Sequence, residues 1–388
     1  MRRYKTYING EWFEGTSGIV LRSVDPSNNK ELGEIVQNSK EDVEYAIESA
    51  SRSFYKTREW RDLDVQQRSD KLLKIADMIE SEIDEIAKTE SMDNGKPLRE
   101  AQADVDDAVH CFRYYAGLIR TPSGQTYNVN SNFGNMHSYT VKEPVGVCAL
   151  ITPWNFPFLM SVWKIAPALA AGNSIIFKPS SETVLSALKL FEILDKCDLP
   201  KGTANLVIGS GSTVGNLLAE SKKVDMITFT GSTSVGQGIM RAAAGNVKKI
   251  GLELGGKSPN IVFADTDIDK TVEWVMMGIF LNQGEVCCAG SRLIIEKSIK
   301  DKFLKKLVER TDKLTLGAPL DNPDMGPLIS KKHMQDVLGY IEKGKAEGAK
   351  LLCGGYKCTD DDLVNGNFIK PAIFDDCTPD MSICLLYT

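Results

Sequence analysis

The chain has 388 residues, a net charge of −6 and a composition that is 42% hydrophobic and 25% charged, which is typical of a soluble globular protein. This length exceeds one ordinary core and predicts two or three domains, or one large α/β unit with an appended part. Because acidic and basic residues are interspersed, no basic surface is available to neutralise phosphates, and nucleic-acid binding is excluded.

The chain starts with MRRYKTYINGEW, in which two arginines are not followed by an apolar segment. No later stretch offers about 18 uninterrupted apolar residues, so neither a signal peptide nor a membrane span is expected. The nine cysteines are an odd number without a secretory context, which favours reduced thiols. Cys353 and Cys358 lack a second ligand pair, so no metal site is expected. We therefore expect a cytoplasmic protein that does not bind membranes.

Residues 1–122 open with a short pair of strands and continue with long helical patterns. From Val65 to Ala87, apolar residues recur at steps of three and four, which predicts a helix packed on another layer. Residues 123–144 are rich in Ser, Asn and Gly. They predict an extended connector or an edge hairpin.

After Val145, short apolar strands alternate with helices. Strands are predicted at 147–152, 174–178, 205–209 and 226–230, with helices near 158–171, 182–197, 212–220 and 234–244. The alternation predicts βαβ units and a parallel sheet that binds ligands at the carboxyl ends of its strands. A second α/β segment begins near Lys257.

Two glycine-rich turns follow predicted strands and open helices: GSGSTVG at 209–215 and TGSTSVG at 230–236. Glycine permits tight turns and close backbone approach, so such turns present N–H groups and a helix N-terminus to a phosphate. Neither turn is a strict G-x-G-x-x-G, and such turns also serve helix–strand packing. Their occurrence on successive βα units favours a dinucleotide ligand.

The stretch NQGEVCCAG at 282–290 contains adjacent cysteines, Cys287 and Cys288. All three histidines lie in other segments, which disfavours a Cys/His dyad. Both thiols could simply be small buried hydrophobic groups, but the loop around them is polar and glycine-flanked. Glu253 ends an apolar strand before two glycines, as a surface group or as a base directed into a cleft. Asn155 follows another strand, where its amide could donate to an oxyanion.

Together these segments resemble the NAD(P)-dependent aldehyde dehydrogenase superfamily, over nearly the whole chain. Within the family, the chain is most similar to betaine-aldehyde and related aliphatic aldehyde dehydrogenases. The shared segments, whose order and spacing are specific, are PWNFP (153–157), WKIAPALAAG (163–172), FKPS (177–180), FTGSTSVG (229–236), LELGGKSP (252–259) and GEVC (284–287).

The resemblance implies a thiol mechanism that needs no histidine. Cys287 corresponds to the nucleophile, Glu253 to the general base and Asn155 to the oxyanion donor. The thiolate adds to an aldehyde, NAD(P) accepts the hydride, and water activated by Glu253 hydrolyses the thioester. The implied fold is an α/β one, with a Rossmann-type dinucleotide-binding domain over 1–122 and 145–256, an oligomerisation hairpin over 123–144, and a second α/β catalytic domain over 257–388.

The resemblance also assigns residues to ligands. Phe156, Trp163 and Leu281 stand at positions that form an aromatic cage in betaine-specific members, although these side chains could equally line an apolar tunnel. Family members form homodimers or homotetramers. The implied cofactor residues are Thr152, Pro153, Trp154, Lys178, Ser181, Gly211, Gly215, Phe229, Gly231, Ser232, Val235 and Leu254.

Three features depart from the family pattern. Ser181 stands where NAD-preferring members often have a glutamate, which predicts NAD as cofactor with tolerance of NADP. Glu285 replaces the usual glutamine beside the nucleophile and adds a charge. After Ile383 the chain reads CLLYT, where the family continues with an EEIFGP segment. The expected result is impaired oligomerisation, and an alternative function follows: an inactive truncated fragment that binds a nucleotide or a partner.

Overall fold

The computed structural model describes residues 2–385, apart from the side chain of Asp361. Of the divergent final residues, 386–388 lie outside the described part. The amino-terminal strands are β1 (Arg3–Tyr4), β2 (Thr6–Ile8), β3 (Glu11–Phe13), β4 (Val20–Asp25) and β5 (Lys30–Val36). The helices that follow are α1 (Lys40–Arg52), α2 (Val65–Ser81), α3 (Ile83–Asn94) and α4 (Leu98–Arg120).

The helix predicted from Val65 to Ala87 is interrupted. Glu82 leaves helical backbone angles, with φ −112° and ψ 15°, and separates α2 from α3. Asp64 caps α2, because its side chain accepts the N–H of Gln67. The predicted helical layer is otherwise confirmed, since α2 and α4 pack side by side over the main sheet.

The predicted edge hairpin is present as β6 (Thr126–Ser131) and β7 (Gly134–Tyr139), which pair antiparallel. Nearly every residue of the two strands is exposed, and Phe133 at the turn is 96% exposed. Tyr127 and Tyr139 are exposed as well. The hairpin therefore presents aromatic side chains to solvent.

The predicted strand–helix alternation forms the centre of the fold. Its elements are β8 (Val147–Ile151), α5 (Pro157–Ala170), β9 (Ser174–Lys178), α6 (Leu185–Lys196), β10 (Ala204–Leu206), α7 (Asn216–Glu220), β11 (Met226–Gly231), α8 (Thr233–Ala243) and β12 (Lys249–Leu254).

Among the described residues, the main sheet has seven strands in the order β12-β11-β8-β9-β10-β2-β3. The first five strands of this order are mutually parallel, and β2 and β3 join antiparallel at one edge. The predicted Rossmann-type α/β class is confirmed. The domain boundaries remain predictions.

The main sheet has an apolar core on each of its two faces, and successive side chains of β8 alternate between them. Val147, Ala149 and Ile151 face α1, α7 and α8, whereas Cys148 and Leu150 face α2, α4, α5 and α6. A strand buried on both faces carries an uninterrupted apolar run, and all five residues of β8 are buried.

Two predicted boundaries were wrong. The strand predicted at 205–209 ends at Leu206, because Ile208 then exchanges hydrogen bonds with Asn38 at 2.7 and 2.8 Å. The helix predicted from 182 begins only at Leu185, whose N–H donates to the buried Asp93 carboxylate at 2.9 Å.

The carboxyl-terminal part contains a smaller core built on Val262, Val275 and Phe303. β13 and β14 pair parallel, and β15 and β16 pair antiparallel. No helix among the described residues is both long and apolar enough to cross a membrane. The elements here are β13 (Pro259–Val262), α9 (Ile268–Phe280), β14 (Arg292–Ile295), α10 (Lys300–Thr311), α11 (Lys331–Ala346), β15 (Lys350–Cys353) and β16 (Ile373–Asp375).

Substitution of Phe191 measures how much the packing of α6 on the sheet contributes to stability. It is fully buried, and its ring centroid lies 5.9 Å from both Phe177 and Tyr7. We expect Phe191→Ala to lower the free energy of unfolding by ~3–5 kcal/mol through lost burial and a residual cavity. Urea unfolding measures the change. The control Phe133→Ala should cost under ~0.5 kcal/mol; equal costs for the two variants would contradict this packing.

Candidate active site

The carboxyl ends of four parallel strands lie in register. Thr230 pairs with Glu253, Phe229 pairs with Ile151, and Thr152, next after β8, donates its N–H to the Lys178 carbonyl at 3.1 Å. The predicted cofactor residues at the strand ends therefore share one edge of the sheet. Parallel α/β sheets bind ligands at this edge.

The turn from β11 into α8 is built for close backbone approach. A Cβ on Gly231 would lie 2.4 Å from the Phe229 ring, so only glycine fits there. Ser232 caps α8 by accepting the Val235 N–H, and the half-exposed Val235 lies in the first helical turn. Leu254 packs against the same turn, 2.9 Å from a Cβ built on Gly236. Free N–H groups at this helix end suit a phosphate.

Lys178 connects this edge to the other glycine-rich turn. It is buried, its Nζ donates to the Pro179 carbonyl at 3.0 Å, and burial lowers its pKa to about 8. Its Cε lies 4.0 Å from a Cβ built on Gly215, while a Cβ on Gly211 would meet open space. Ser181 is half-buried in the loop after β9.

Buried hydroxyls along this edge test whether a dinucleotide fits. The Oγ1 atoms of Thr152, Thr230 and Thr233 are buried and have no hydrogen-bond partner among the described residues. Buried polar groups normally have partners. The ribose hydroxyls and phosphate oxygens of a dinucleotide could supply them, so the residues present fit this cofactor.

The loop that carries the cysteines has an unusual backbone. Asn282, Gln283 and Gly284 have φ angles of 46°, 58° and 79°, in the left-handed region. Non-glycine residues pay of order 1 kcal/mol or more for such angles and keep them only when neighbouring contacts impose them. Here the Asn282 N–H donates to the Glu100 carboxylate at 2.9 Å, and the Gly326 N–H donates to Gln283 Oε1 at 3.4 Å.

Asn155 is held from both sides. Its Nδ2 donates to the Glu285 carbonyl at 2.7 Å, and its own carbonyl accepts Asn282 Nδ2 at 2.7 Å. Asn94 Nδ2 donates to the neighbouring Trp154 carbonyl at 2.9 Å. These bonds tie the predicted oxyanion donor to the loop that ends in Cys287. One amide hydrogen of Asn155 remains for another acceptor.

Cys287 and Glu253 line one cavity of about 560 Å³, together with Trp163 and Lys164. The close packing of the segment before Lys257 on the cysteine loop explains why they meet, since a Cβ on Gly256 would lie 3.4 Å from the Cys287 carbonyl. Cys288 is exposed but is not among the described residues that line this cavity. The geometry thus separates the two thiols.

The electrostatics of the cavity do not activate the thiol by themselves. Partial burial raises the pKa of Cys287, and the adjacent Cys288 thiol raises it further. Burial lowers the pKa of Lys164 to about 8, an effect that nearby Glu253 partly offsets. Lys164 Nζ also donates to Thr228 at 2.8 Å. Sequence reasoning missed this lysine, whose only signal was its place in the family segment after Trp163.

Of the three predicted substrate residues, Trp163 alone is on the described wall of this cavity. Trp163 lines the cavity and is 52% exposed. Phe156 and Leu281 are not among the described residues of its wall. The Lys96 ammonium lies 4.2 Å from the Phe156 ring centroid and so covers one face of that ring. Trp163 is therefore the one predicted substrate residue that this cavity presents.

His333 lies far from the site in the sequence but contacts two of its residues in the fold. Its ring centroid lies 5.1 Å from that of Trp154, a predicted wall of the cofactor pocket. Its Nε2 lies 3.5 Å from a carboxyl oxygen of Glu285. No motif in the sequence joins these positions, which the fold brings together through α11.

Comparison with known proteins decides the family. The model of the aldehyde dehydrogenase family matches residues 12–385. The chain belongs to the aldehyde dehydrogenase family. A betaine aldehyde dehydrogenase of Bacillus subtilis (strain 168) is 46% identical over 378 residues, which are 97% of this chain and 76% of that protein. A peroxisomal aminoaldehyde dehydrogenase of Pisum sativum is 43% identical over 381 residues, which are 97% of this chain and 75% of that protein.

Solved structures give the same result. The crystal structure of a Staphylococcus aureus betaine aldehyde dehydrogenase in complex with NAD+ has a TM-score of 0.94 and 41% identity, covering 98% of this chain and 75% of that one. The sequence-based family assignment is confirmed. The alternative of an inactive binding module gains no support from these comparisons.

The raised pKa of Cys287 predicts slow alkylation at neutral pH. Thiolate is the reacting form, so without cofactor the pH midpoint for iodoacetamide labelling of Cys287 should lie above the ~8.5 of a free cysteine. Peptide mass mapping after timed labelling separates Cys287 from Cys288, and Cys288→Ser isolates the first thiol. A Cys287 midpoint below about 8 would show that the cavity activates the resting thiol.

Proposed function

We propose that this chain oxidises an aldehyde to the carboxylic acid with NAD+ through a covalent intermediate on Cys287. The observation that carries the proposal is that Cys287 and Glu253 line one cavity, while Asn155 is hydrogen-bonded to the Glu285 carbonyl in the loop that carries Cys287. Family membership and relatives solved with NAD+ support it.

The first step needs the Cys287 thiolate. Because the pKa of this thiol is raised, only a fraction of Cys287 is thiolate at neutral pH, and its proton passes through water to solvent. Glu253 on the same cavity wall assists this transfer, which does not depend on it. Sulfur then adds to the carbonyl carbon. The carbonyl electrons move to oxygen, where the free amide hydrogen of Asn155 and the Cys287 N–H hold the oxyanion, each such donor being worth ~3 kcal/mol in comparable sites.

Collapse of that adduct gives a thioester on Cys287. When bound, NAD+ supplies the hydride acceptor for this oxidation, and Lys178, Ser232 and the turn at 211–215 would hold it. Glu253 then takes a proton from water, the resulting hydroxide adds to the thioester carbon, and Cys287 leaves as thiolate with release of the acid. Tolerance of NADP remains a prediction. The exposed Glu182 stands next to Ser181, and a carboxylate that reached the ribose would repel the 2′-phosphate of NADP.

We infer that the substrate is an uncharged aliphatic aldehyde. The cavity wall near Cys287 includes Leu150, Met160 and Trp163, which suit an apolar chain. Lys164 on the same wall stays largely protonated at neutral pH, because its pKa of about 8 lies above it. Its ammonium would repel a trimethylammonium group, although relatives of this chain are named for betaine aldehyde.

A pair of isosteric aldehydes tests the substrate class. Betaine aldehyde and 3,3-dimethylbutanal differ only in the charged nitrogen. We expect a kcat/KM at least about tenfold higher for the neutral compound, equal to ~1.4 kcal/mol, because a cation in this cavity meets a single aromatic side chain, Trp163, and the ammonium group of Lys164. Steady-state NADH absorbance measures both. The opposite preference would mean that Trp163 and other groups do bind the cation, at ~1–2 kcal/mol per ring.

Glu253→Gln separates the two chemical stages. Deacylation needs a proton removed from water, so we expect steady-state turnover to fall by about 10²-fold or more, while stopped-flow mixing still shows a burst of NADH. Cys287→Ser should show neither. If the burst disappears in Glu253→Gln at every pH up to 10, Glu253 is also required to form the thiolate. A Glu253→Gln variant with unchanged turnover would refute its role as base.

A further inference from the structure

Glu285 lies two residues before Cys287 and is tightly enclosed. Its side chain is only 2% exposed. Oε1 accepts the Ile329 N–H at 3.1 Å, and His333 Nε2 lies 3.5 Å from the same oxygen. Oε2 is buried and makes no hydrogen bond with any described residue. The carboxyl group therefore joins the cysteine loop to the segment before α11.

The main chain of Glu285 contacts the proposed oxyanion donor. Its carbonyl accepts Asn155 Nδ2 at 2.7 Å, so a shift of residue 285 moves both the Asn155 amide and the start of the Glu285–Cys287 segment. Upstream, the left-handed residues 282–284 need external contacts to keep their geometry. Glu285 supplies such a contact directly beside the nucleophile.

The surroundings of Glu285 do not compensate a negative charge. Lys96 favours its ionisation, but Lys96 Nζ already binds the carboxylates of Glu90 and Asp104. Burial lowers the pKa of His333, which keeps that ring neutral near pH 7. Glu100 adds a further acidic group beneath the same loop. Burial raises the pKa of Glu285 well above its ordinary value.

We propose that Glu285 is a positioning residue that holds Asn155 and Cys287 in reacting geometry by anchoring their loop at Ile329 as a neutral carboxylic acid. This inference rests on the proposed aldehyde oxidation. A neutral acid and an amide have the same shape and both can accept the Ile329 N–H. An ionised Glu285 would instead place an unpaired charge near the thiolate and the oxyanion, both of which are anions.

Substitution by alanine and by glutamine tests the anchoring. We expect Glu285→Ala to lower kcat for aldehyde oxidation by about 30- to 100-fold, as expected of a misplacement near 1 Å, with little change in the KM for NAD+. Glu285→Gln should recover activity to within about fivefold of the parent. Hydrogen exchange of the Ile329 amide should accelerate in the alanine variant only. Equal losses in both variants, or unchanged exchange in Glu285→Ala, would overturn the proposal.

The pH profile tests the neutral form. Glu285→Gln leaves the other ionisable side chains of the cavity in place, so kcat/KM of Glu285→Gln divided by kcat/KM of the parent isolates the ionisation of Glu285. We expect this ratio to be constant at low pH and to rise about tenfold per pH unit once Glu285 ionises in the parent. Glu296→Gln is the control, because Glu296 is exposed and accepts the Ala264 N–H at 2.8 Å far from the cavity. A ratio that rises already through the ordinary glutamate range near pH 4.3 would show that Glu285 is ionised at neutral pH and would overturn the proposal.

Thermal unfolding tests the neutral state of Glu285 without relying on the proposed aldehyde oxidation. A carboxyl whose pKa is raised on folding contributes stability below its unfolded pKa of about 4.3 and loses it as pH rises through the folded pKa. The Tm of Glu285→Gln should therefore exceed that of the parent by a margin that grows with pH above about 4.5. If the parent oxidises no aldehyde, the proposed function fails, whereas this margin still supports a neutral Glu285. A margin that does not grow with pH contradicts it.

Discussion

The hydrogen bonds of Asn155 are the constraint on which the active site depends. Two of its polar groups are tied to the cysteine loop, at the Glu285 carbonyl and at Asn282 Nδ2. The loop itself has a left-handed backbone that it would not adopt alone. The proposed oxyanion donor Asn155 and the proposed nucleophile Cys287 are therefore fixed relative to each other before any ligand binds, which is the condition for electrostatic stabilisation without reorganisation.

The sheet explains how distant segments reach that constraint. Parallel strands end at one edge, so Thr152 and Asn155 after β8, Lys178 at the end of β9 and Glu253 near the end of β12 lie along the same edge although about a hundred residues separate the first from the last. The cysteine loop then packs on the segment after β12. The proposed cofactor site and the proposed covalent chemistry thus share one set of strand ends.

Much of this arrangement could be predicted from the sequence. The apolar run of β8 and the alternation after Val145 predicted a parallel sheet, and the family segments predicted Cys287, Glu253 and Asn155. A predicted strand end was wrong where a side chain replaces the hydrogen bonds between strands, as Asn38 does at Ile208. Lys164, His333 and the burial of Glu285 could not be predicted, because they depend on packing between segments that carry no shared pattern. That packing raises the pKa of Glu285 well above its ordinary value, which disfavours the charge that the sequence alone assigns to it.

The most direct test of the account is the mass of the covalent intermediate. The Glu253→Gln protein is mixed with NAD+ and 3,3-dimethylbutanal, quenched in acid within one turnover, digested and analysed by peptide mass mapping. The account predicts the acyl mass on Cys287, with Cys288 unmodified, and a much smaller yield when Asn155→Ala is added. An acyl group on Cys288, or NADH formed with no acyl-peptide at any time, would contradict it.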